Sequence, residues 1–169
     1  MRVNTIIIDD FLDNPDLVRS SALEVDFSTE GQFPGLRSDS ADIDYQEMVS
    51  NKIAPIIGYD IDQIKYTMDS FRFQICLDDS KTWIHVDDSE WAGVLYLTPG
   101  APLNTGTGIF DDEDLLITYV GNVYNRLVLY RGDLFHRSIQ PGFGTDISTG
   151  RLTQVLFFNI SQCTKKCSC

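Results

Sequence analysis

The sequence predicts a mainly β protein with flanking helices, built on a double-sheet jelly roll (a double-stranded β-helix). Three observations lead there. From residue 64 onward, strand-like runs follow one another with turn residues between them. Before residue 64, two segments carry apolar residues at helical spacing. The length, 169 residues, allows one domain with a real core and is short for two. We expect a single domain over residues 1–160, with helical N-terminal support over 1–63, a jelly-roll core over 64–160 and a cysteine-containing tail over 161–169.

Val3–Ile8 reads as a first strand. Asn14-Pro15 then supplies an N-cap followed by proline at the first helical position. Leu17, Val18, Ala22 and Leu23 make Asp16–Val25 helical. Phe33-Pro34-Gly35 breaks the chain. Ile43, Met48, Val49 and Ile53 mark a second helix over Asp42–Ile57, stopped near Pro55 and Gly58. Eight strands are expected after that: Ile64–Leu77, Thr82–Asp87, Ala92–Thr98, Thr107–Phe110, Leu115–Val120, Arg126–Tyr130, Asp133–Ile139 and Arg151–Ile160. Turn residues such as Pro99-Gly100 and Pro141-Gly142 separate them. Short strands at this spacing, preceded by helices, suggest a jelly roll braced on one face.

Composition narrows the function. With 43% apolar and 11% aromatic residues the chain is globular rather than disordered. No apolar run approaches the length of a bilayer span, and the N-terminus lacks the long apolar core of a signal peptide. The expectation is an intracellular, cytoplasmic protein without a membrane partner. A net charge of −12 argues against a nucleic-acid partner, which needs a basic surface; the one basic cluster is Lys165-Lys166. Cys76 lies in an apolar strand and reads as a small buried hydrophobe. Cys163, Cys167 and Cys169 are one ligand short of a closed structural zinc site, and the tail has no histidine.

The chemistry lies in a sparse pattern. The chain has two histidines, His85 in Trp83-Ile84-His85-Val86-Asp87 and His136 in Leu134-Phe135-His136-Arg137-Ser138. Residues two apart on a strand share a face, so His85 and Asp87 point the same way. His136 from a neighbouring strand would complete two imidazoles and one carboxylate. Such a set leaves half of an octahedron open and favours iron(II). With 25 acids in the chain, His-x-Asp alone is weak. The order His-x-Asp, a distant histidine, then Arg151 opening a buried-looking strand is far sharper. An arginine there needs an anion, either a core carboxylate or the carboxylate of a ligand.

The pattern His85-x-Asp87 … His136 … Arg151-x-Thr153 resembles the 2-oxoglutarate/Fe(II)-dependent dioxygenase superfamily, in its prolyl-hydroxylase-like branch. The resemblance covers roughly residues 66–160, with Val94-Leu95-Tyr96-Leu97-Thr98 and Gly106-Thr107-Gly108-Ile109-Phe110 similar to the branch's strands after the metal motif. It implies that His85, Asp87 and His136 bind iron. It implies that Arg151 pairs with the distal carboxylate of 2-oxoglutarate, with Tyr96 and Thr153 adding hydroxyl contacts. Strand parity adds Ser138 to the pocket, and Gln74 is expected to substitute, as a 2-oxoglutarate contact, for the tyrosine that many relatives carry at the position of Ile75. The implied cofactors are Fe(II), 2-oxoglutarate and O2. The implied reaction hydroxylates a C–H bond of a peptidyl residue or small molecule, releasing succinate and CO2. Two departures stand out: a long, glycine-containing turn over Ile139–Gly150, and an apparent insertion over Asp111–Asn125 expected to form a lid. The rival readings are a cupin-like barrel and an inert metal-binding barrel serving as a binding module. A halogenase is disfavoured because Asp87 is present.

Overall fold

The computed structural model describes residues 4–112 and 114–161. The expectations for Cys163, Cys167, Cys169 and Lys165-Lys166 lie outside these residues. The strands are β1 (Thr5–Ile8), β2 (Phe27–Thr29), β3 (Leu36–Ala41), β4 (Ile64–Tyr66), β5 (Arg72–Cys76), β6 (Trp91–Tyr96), β7 (Thr107–Phe110), β8 (Leu116–Val120), β9 (Leu127–Arg131), β10 (Phe135–Ser138) and β11 (Arg151–Ile160). The helices are α1 (Pro15–Leu23) and α2 (Gln46–Ile57). A large sheet runs β1-β9-β6-β11-β5-β3-β2, with β4 also paired to β11. A small sheet, β10-β7-β8, faces it. This is the expected jelly roll. Among the described residues no helix is long and apolar enough to cross a membrane.

β11 is the axis of the molecule. One edge pairs with β6 and the other with β4 and β5. Its residues alternate as a strand must. Leu152, Leu156 and Phe158 join the core that the helices cover through Val18, Ala22, Val49, Ile53 and Ala54. Arg151, Thr153, Val155 and Phe157 face the opposite way and line a cavity between the sheets. A second apolar cluster, including Tyr96, Ile109, Val128 and Tyr130, packs that interior.

Asn14 caps α1 by accepting a hydrogen bond from the Leu17 N–H at 3.3 Å, with Pro15 at the first turn. Pro55 does not stop α2; it lies inside the helix. The carbonyl its missing N–H leaves unpaired belongs to exposed Asn51, where water can satisfy it. Gly58, at φ 82°, ends the helix.

Three expectations are corrected. Ile64–Leu77 is two strands. Both pair with β11, but residues 67–71 loop out between them, and Phe71 takes φ 63°. Thr82–Asp87 is no ladder strand; it meets the small sheet through one backbone bridge, His85 with His136, and through the Thr82 hydroxyl on Ser138. Residues 111–125 supply the edge strand β8, and none of those described lines the interior cavity or the cleft beside it, so they form no lid. The long turn before Arg151 is self-organised. The Asp146 carboxylate accepts from the Ser148 and Thr149 N–H groups at 2.9 Å, and Arg19 on α1 donates to Ser148 O.

Asn125 fastens the N-terminal segment to the barrel. Its side chain accepts from Leu12 N–H at 2.8 Å and donates to Leu12 O at 2.9 Å, from a backbone at φ 61°. Asn125→Ala strands two buried backbone groups and strains the turn. The expected loss is about 2–4 kcal/mol in urea unfolding. Asn125→Gly should recover only the backbone share, about 1 kcal/mol.

Candidate metal centre and anion pocket

His85, Asp87 and His136 offer ligand atoms that all lie within 4.8 Å of one another. Their convergence begins with the backbone. His85 and His136 exchange N–H···O=C bonds, at 3.1 and 2.9 Å, which fixes the irregular 82–87 segment against β10. Asp87 N–H donates to Gly132 O at 2.8 Å and holds the carboxylate end in place. The imidazole centroids stand 4.4 Å apart, and Tyr130 packs against His136 at 4.5 Å.

Both rings are oriented alike. His85 Nδ1 lies 3.0 Å from Trp83 O, and His136 Nδ1 lies 2.8 Å from Leu134 O. A carbonyl only accepts, so each Nδ1 carries a proton, and in the neutral ring each Nε2 presents a lone pair. Burial lowers the pKa of His85 from its ordinary 6.5, with His136 contributing, and so favours the neutral ring. His136 Nε2 then faces Asp87 Oδ2 at 3.2 Å, and His85 Nε2 faces Asp87 Oδ1 at 4.0 Å. Acceptors meet acceptors. Asp87 Oδ2 is buried and, with neutral rings, finds no hydrogen-bond donor among the described residues. Such an arrangement is repulsive unless a cation sits among the three groups, so the donor set fits a metal ion.

Arg151 is buried behind this cluster. Its Nε donates to Thr105 O at 2.8 Å, and its guanidinium carbon lies 5.6 Å from the Tyr96 ring. Among the described residues no carboxylate pairs with it within 4.0 Å. The core-carboxylate alternative therefore finds no partner there. The cavity it lines holds about 80 Å³.

The other expected residues fall around the same space. Gln74, Thr153 and Tyr96 form a row of direct cross-strand partners over β5, β11 and β6. Thr153 and Ser138 line the cavity. The Tyr96 hydroxyl bonds to Thr107 Oγ1 at 2.7 Å, and it is Thr107 that lines the cavity. The Gln74 amide is engaged on both ends: it accepts from Arg37 Nε at 2.9 Å and donates to Pro34 O at 2.9 Å. Arg137 alternates with His136 and Ser138 on β10 and packs over Phe110, yet it too borders the cavity.

Two lining residues escaped the sequence reading. Tyr130 sits beside His136, and burial raises its pKa well above the ordinary value, so its hydroxyl stays neutral and able to donate. Arg37 extends the Gln74 row by one strand. Nothing in Leu127–Arg131 distinguishes Tyr130 from a core aromatic. Arg37 lies in Leu36–Ala41, too polar to suggest a strand.

The fold has known counterparts. A prolyl-4-hydroxylase from Pseudomonas putida superimposes with TM-score 0.63 at 16% identity, covering 94% of each chain. HygX from Streptomyces hygroscopicus, with nickel and 2-oxoglutarate bound, gives 0.63 at 12% identity, covering 94% of this chain and 83% of the other. A viral collagen prolyl hydroxylase from Paramecium Bursaria Chlorella virus-1 gives 0.58 at 14% identity, covering 95% and 91%. No protein-family model and no curated protein sequence matches the chain. The chain thus has the double-stranded β-helix fold of these hydroxylases.

The repulsion at Asp87 gives an unusual expectation. Asp87→Asn places an N–H donor opposite His136 Nε2. At alkaline pH, where imidazoles are neutral, the metal-free variant should be more stable than wild type by about 1 kcal/mol, while the stabilisation gained on adding Ni(II) or Fe(II) disappears. Thermal unfolding with and without metal measures both. A metal-free variant less stable than wild type would refute the acceptor-against-acceptor geometry.

Proposed function

We propose that the protein is an Fe(II)- and 2-oxoglutarate-dependent oxygenase that hydroxylates a C–H bond of a peptidyl residue or small molecule. One observation carries this reading. Three converging metal donors and a buried guanidinium that finds no carboxylate partner among the described residues share one cavity. The fold shared with prolyl hydroxylases supports it. So does HygX, a counterpart of the same fold that binds nickel and 2-oxoglutarate.

His85, Asp87 and His136 would hold iron through the two Nε2 atoms and the Asp87 carboxylate, leaving one face of the metal open. Arg151 would hold the far carboxylate of 2-oxoglutarate through its terminal nitrogens. Thr153 and Thr107 present hydroxyls in the same cavity, and the neutral Tyr130 hydroxyl is a further donor. Val94, Val155 and Phe157 wall the space and limit water around the reacting centre. When bound, iron(II) and 2-oxoglutarate supply the oxidation: O2 is consumed, succinate and CO2 leave, and one oxygen atom enters the C–H bond. The chain's part is orientation. Substrate reaches the metal face from a second cleft of about 520 Å³, which shares His85 and Asp87 with the inner cavity.

Fe(II) and 2-oxoglutarate, added without oxygen, should give a weak visible charge-transfer band that His136→Ala abolishes. Arg151→Leu should retain metal but weaken 2-oxoglutarate binding by about 100-fold, the scale of a lost charge-assisted pair. A metal-replete wild-type protein without the band would favour a cupin-like or inert binding barrel.

A further inference from the structure

Arg37 is one of two guanidiniums besides Arg151 that line the inner cavity, the other being Arg137, and neither the metal nor 2-oxoglutarate accounts for it. It stands on β3 and lines both the inner cavity and the outer cleft, alongside His85 and Asp87. Its Nε is tied to Gln74 Oε1 at 2.9 Å, and Gln74 is itself tied to Pro34 O. Its plane is held by the Phe33 ring at 3.9 Å and approached by Phe157 at 5.2 Å. Aromatic faces orient a guanidinium but leave its charge in place. Among the described residues no carboxylate pairs with Arg37 within 4.0 Å. Asp69 and Asp87 act on it through space, and Asp69 pairs with Arg72 at 3.6 Å. Burial lowers the Arg37 pKa, as it does for a cation whose lost hydration is not replaced. The fork is therefore preorganised, partly desolvated and unneutralised.

Charge balance says what is missing. Iron(II) with Asp87 leaves one positive charge, and Arg151 adds a second. The two negative charges of 2-oxoglutarate cancel these. Arg37 and Arg137 remain, and of these only Arg37 also lines the outer cleft, at the mouth. Asp69 and the exposed Asp88 on the cleft rim disfavour a multiply charged head such as a phosphate dianion. A single carboxylate matches the guanidinium fork in charge and in planar geometry.

We infer that Arg37 is the recognition residue for a carboxylate on the primary substrate, held between Phe33 and the metal face. This rests on the oxygenase reading for the word substrate; the anion site itself does not. Gln74 is the positioning residue that aims the fork.

The test uses protein loaded with Ni(II) and 2-oxoglutarate, and two matched pairs of probes: hippurate with hippuramide, and N-acetylphenylalanine with its amide. Calorimetry should show each acid binding at least about tenfold more tightly than its amide. Arg37→Met keeps the stem over Phe33 and should abolish that preference, while 2-oxoglutarate affinity stays within about twofold. Arg37→Lys and Gln74→Leu, which keep the charge but lose the fork or its aim, should give intermediate preferences and secure the test if Arg37→Met does not fold. Equal binding of acids and amides to wild type, or no binding of either, overturns the inference. So does a preference that survives Arg37→Met. A loss of 2-oxoglutarate affinity in Arg37→Met as large as that in Arg151→Leu assigns Arg37 to the co-substrate and overturns it as well. If Ni(II)-loaded wild type binds no 2-oxoglutarate, the oxygenase reading fails; the acid-over-amide preference, repeated on metal-free protein, then decides the anion site separately.

Discussion

The reciprocal backbone bonds between His85 and His136 are the constraint on which the site depends. The segment that carries His85 and Asp87 has no ladder to hold it; this bridge, the Asp87-to-Gly132 bond and the Thr82 hydroxyl on Ser138 hold it instead. Without them, two of the three donors would ride on a loop. With them, both imidazoles point Nε2 at the same carboxylate. The two rings also use the same local device, an Nδ1–H donated to the carbonyl two residues earlier. Tautomer and ring direction are thus set by each histidine's own backbone, before any metal arrives.

β11 transmits this order through the molecule. Its even-numbered leucines and phenylalanine are buried under the helices, and its odd-numbered residues, beginning with Arg151, face the cavity. A register slip by one residue would expose the core and withdraw Arg151 together. Stability of the fold and placement of the guanidinium are one requirement. That is why the long turn before Arg151 does no harm: Asp146 and Arg19 fix its conformation, and the strand resumes with Arg151 opposite Cys76.

Much of this was legible in the sequence because strand periodicity and metal chemistry are local or near-local signals. Thr107–Phe110 and Arg151–Ile160 have the expected bounds, and the three expected metal donors cluster. What was illegible depends on pairing. Leu36–Ala41 forms a strand because β5 offers an open edge, not because its own residues favour one. Thr82–Asp87 has strand-like residues, yet its neighbour supplies one bridge only. Pro55 looked like a stop because its cost was judged without knowing that Asn51 faces solvent. Tyr130 and Arg37 needed the cross-strand register before they could be placed beside the metal donors. In each case the missing term was a contact made by a distant segment.

The electrostatics of the interior run against those of the whole. A chain of net charge −12 gathers three buried or half-buried guanidiniums around the cavity that Asp87 lines. In a low-dielectric cavity these charges act at full strength on one another, while the surface acids are screened within about 10 Å of salt solution. The local sign therefore governs what binds and the global sign does not. The exposed acids around the cleft still have a consequence: they penalise anions that lack the geometry to reach a guanidinium. A carboxylate that docks on a fork overcomes that barrier, and one that remains at the rim does not. An acidic surface around a cationic pocket thus sharpens selection among anions by shape rather than by charge alone.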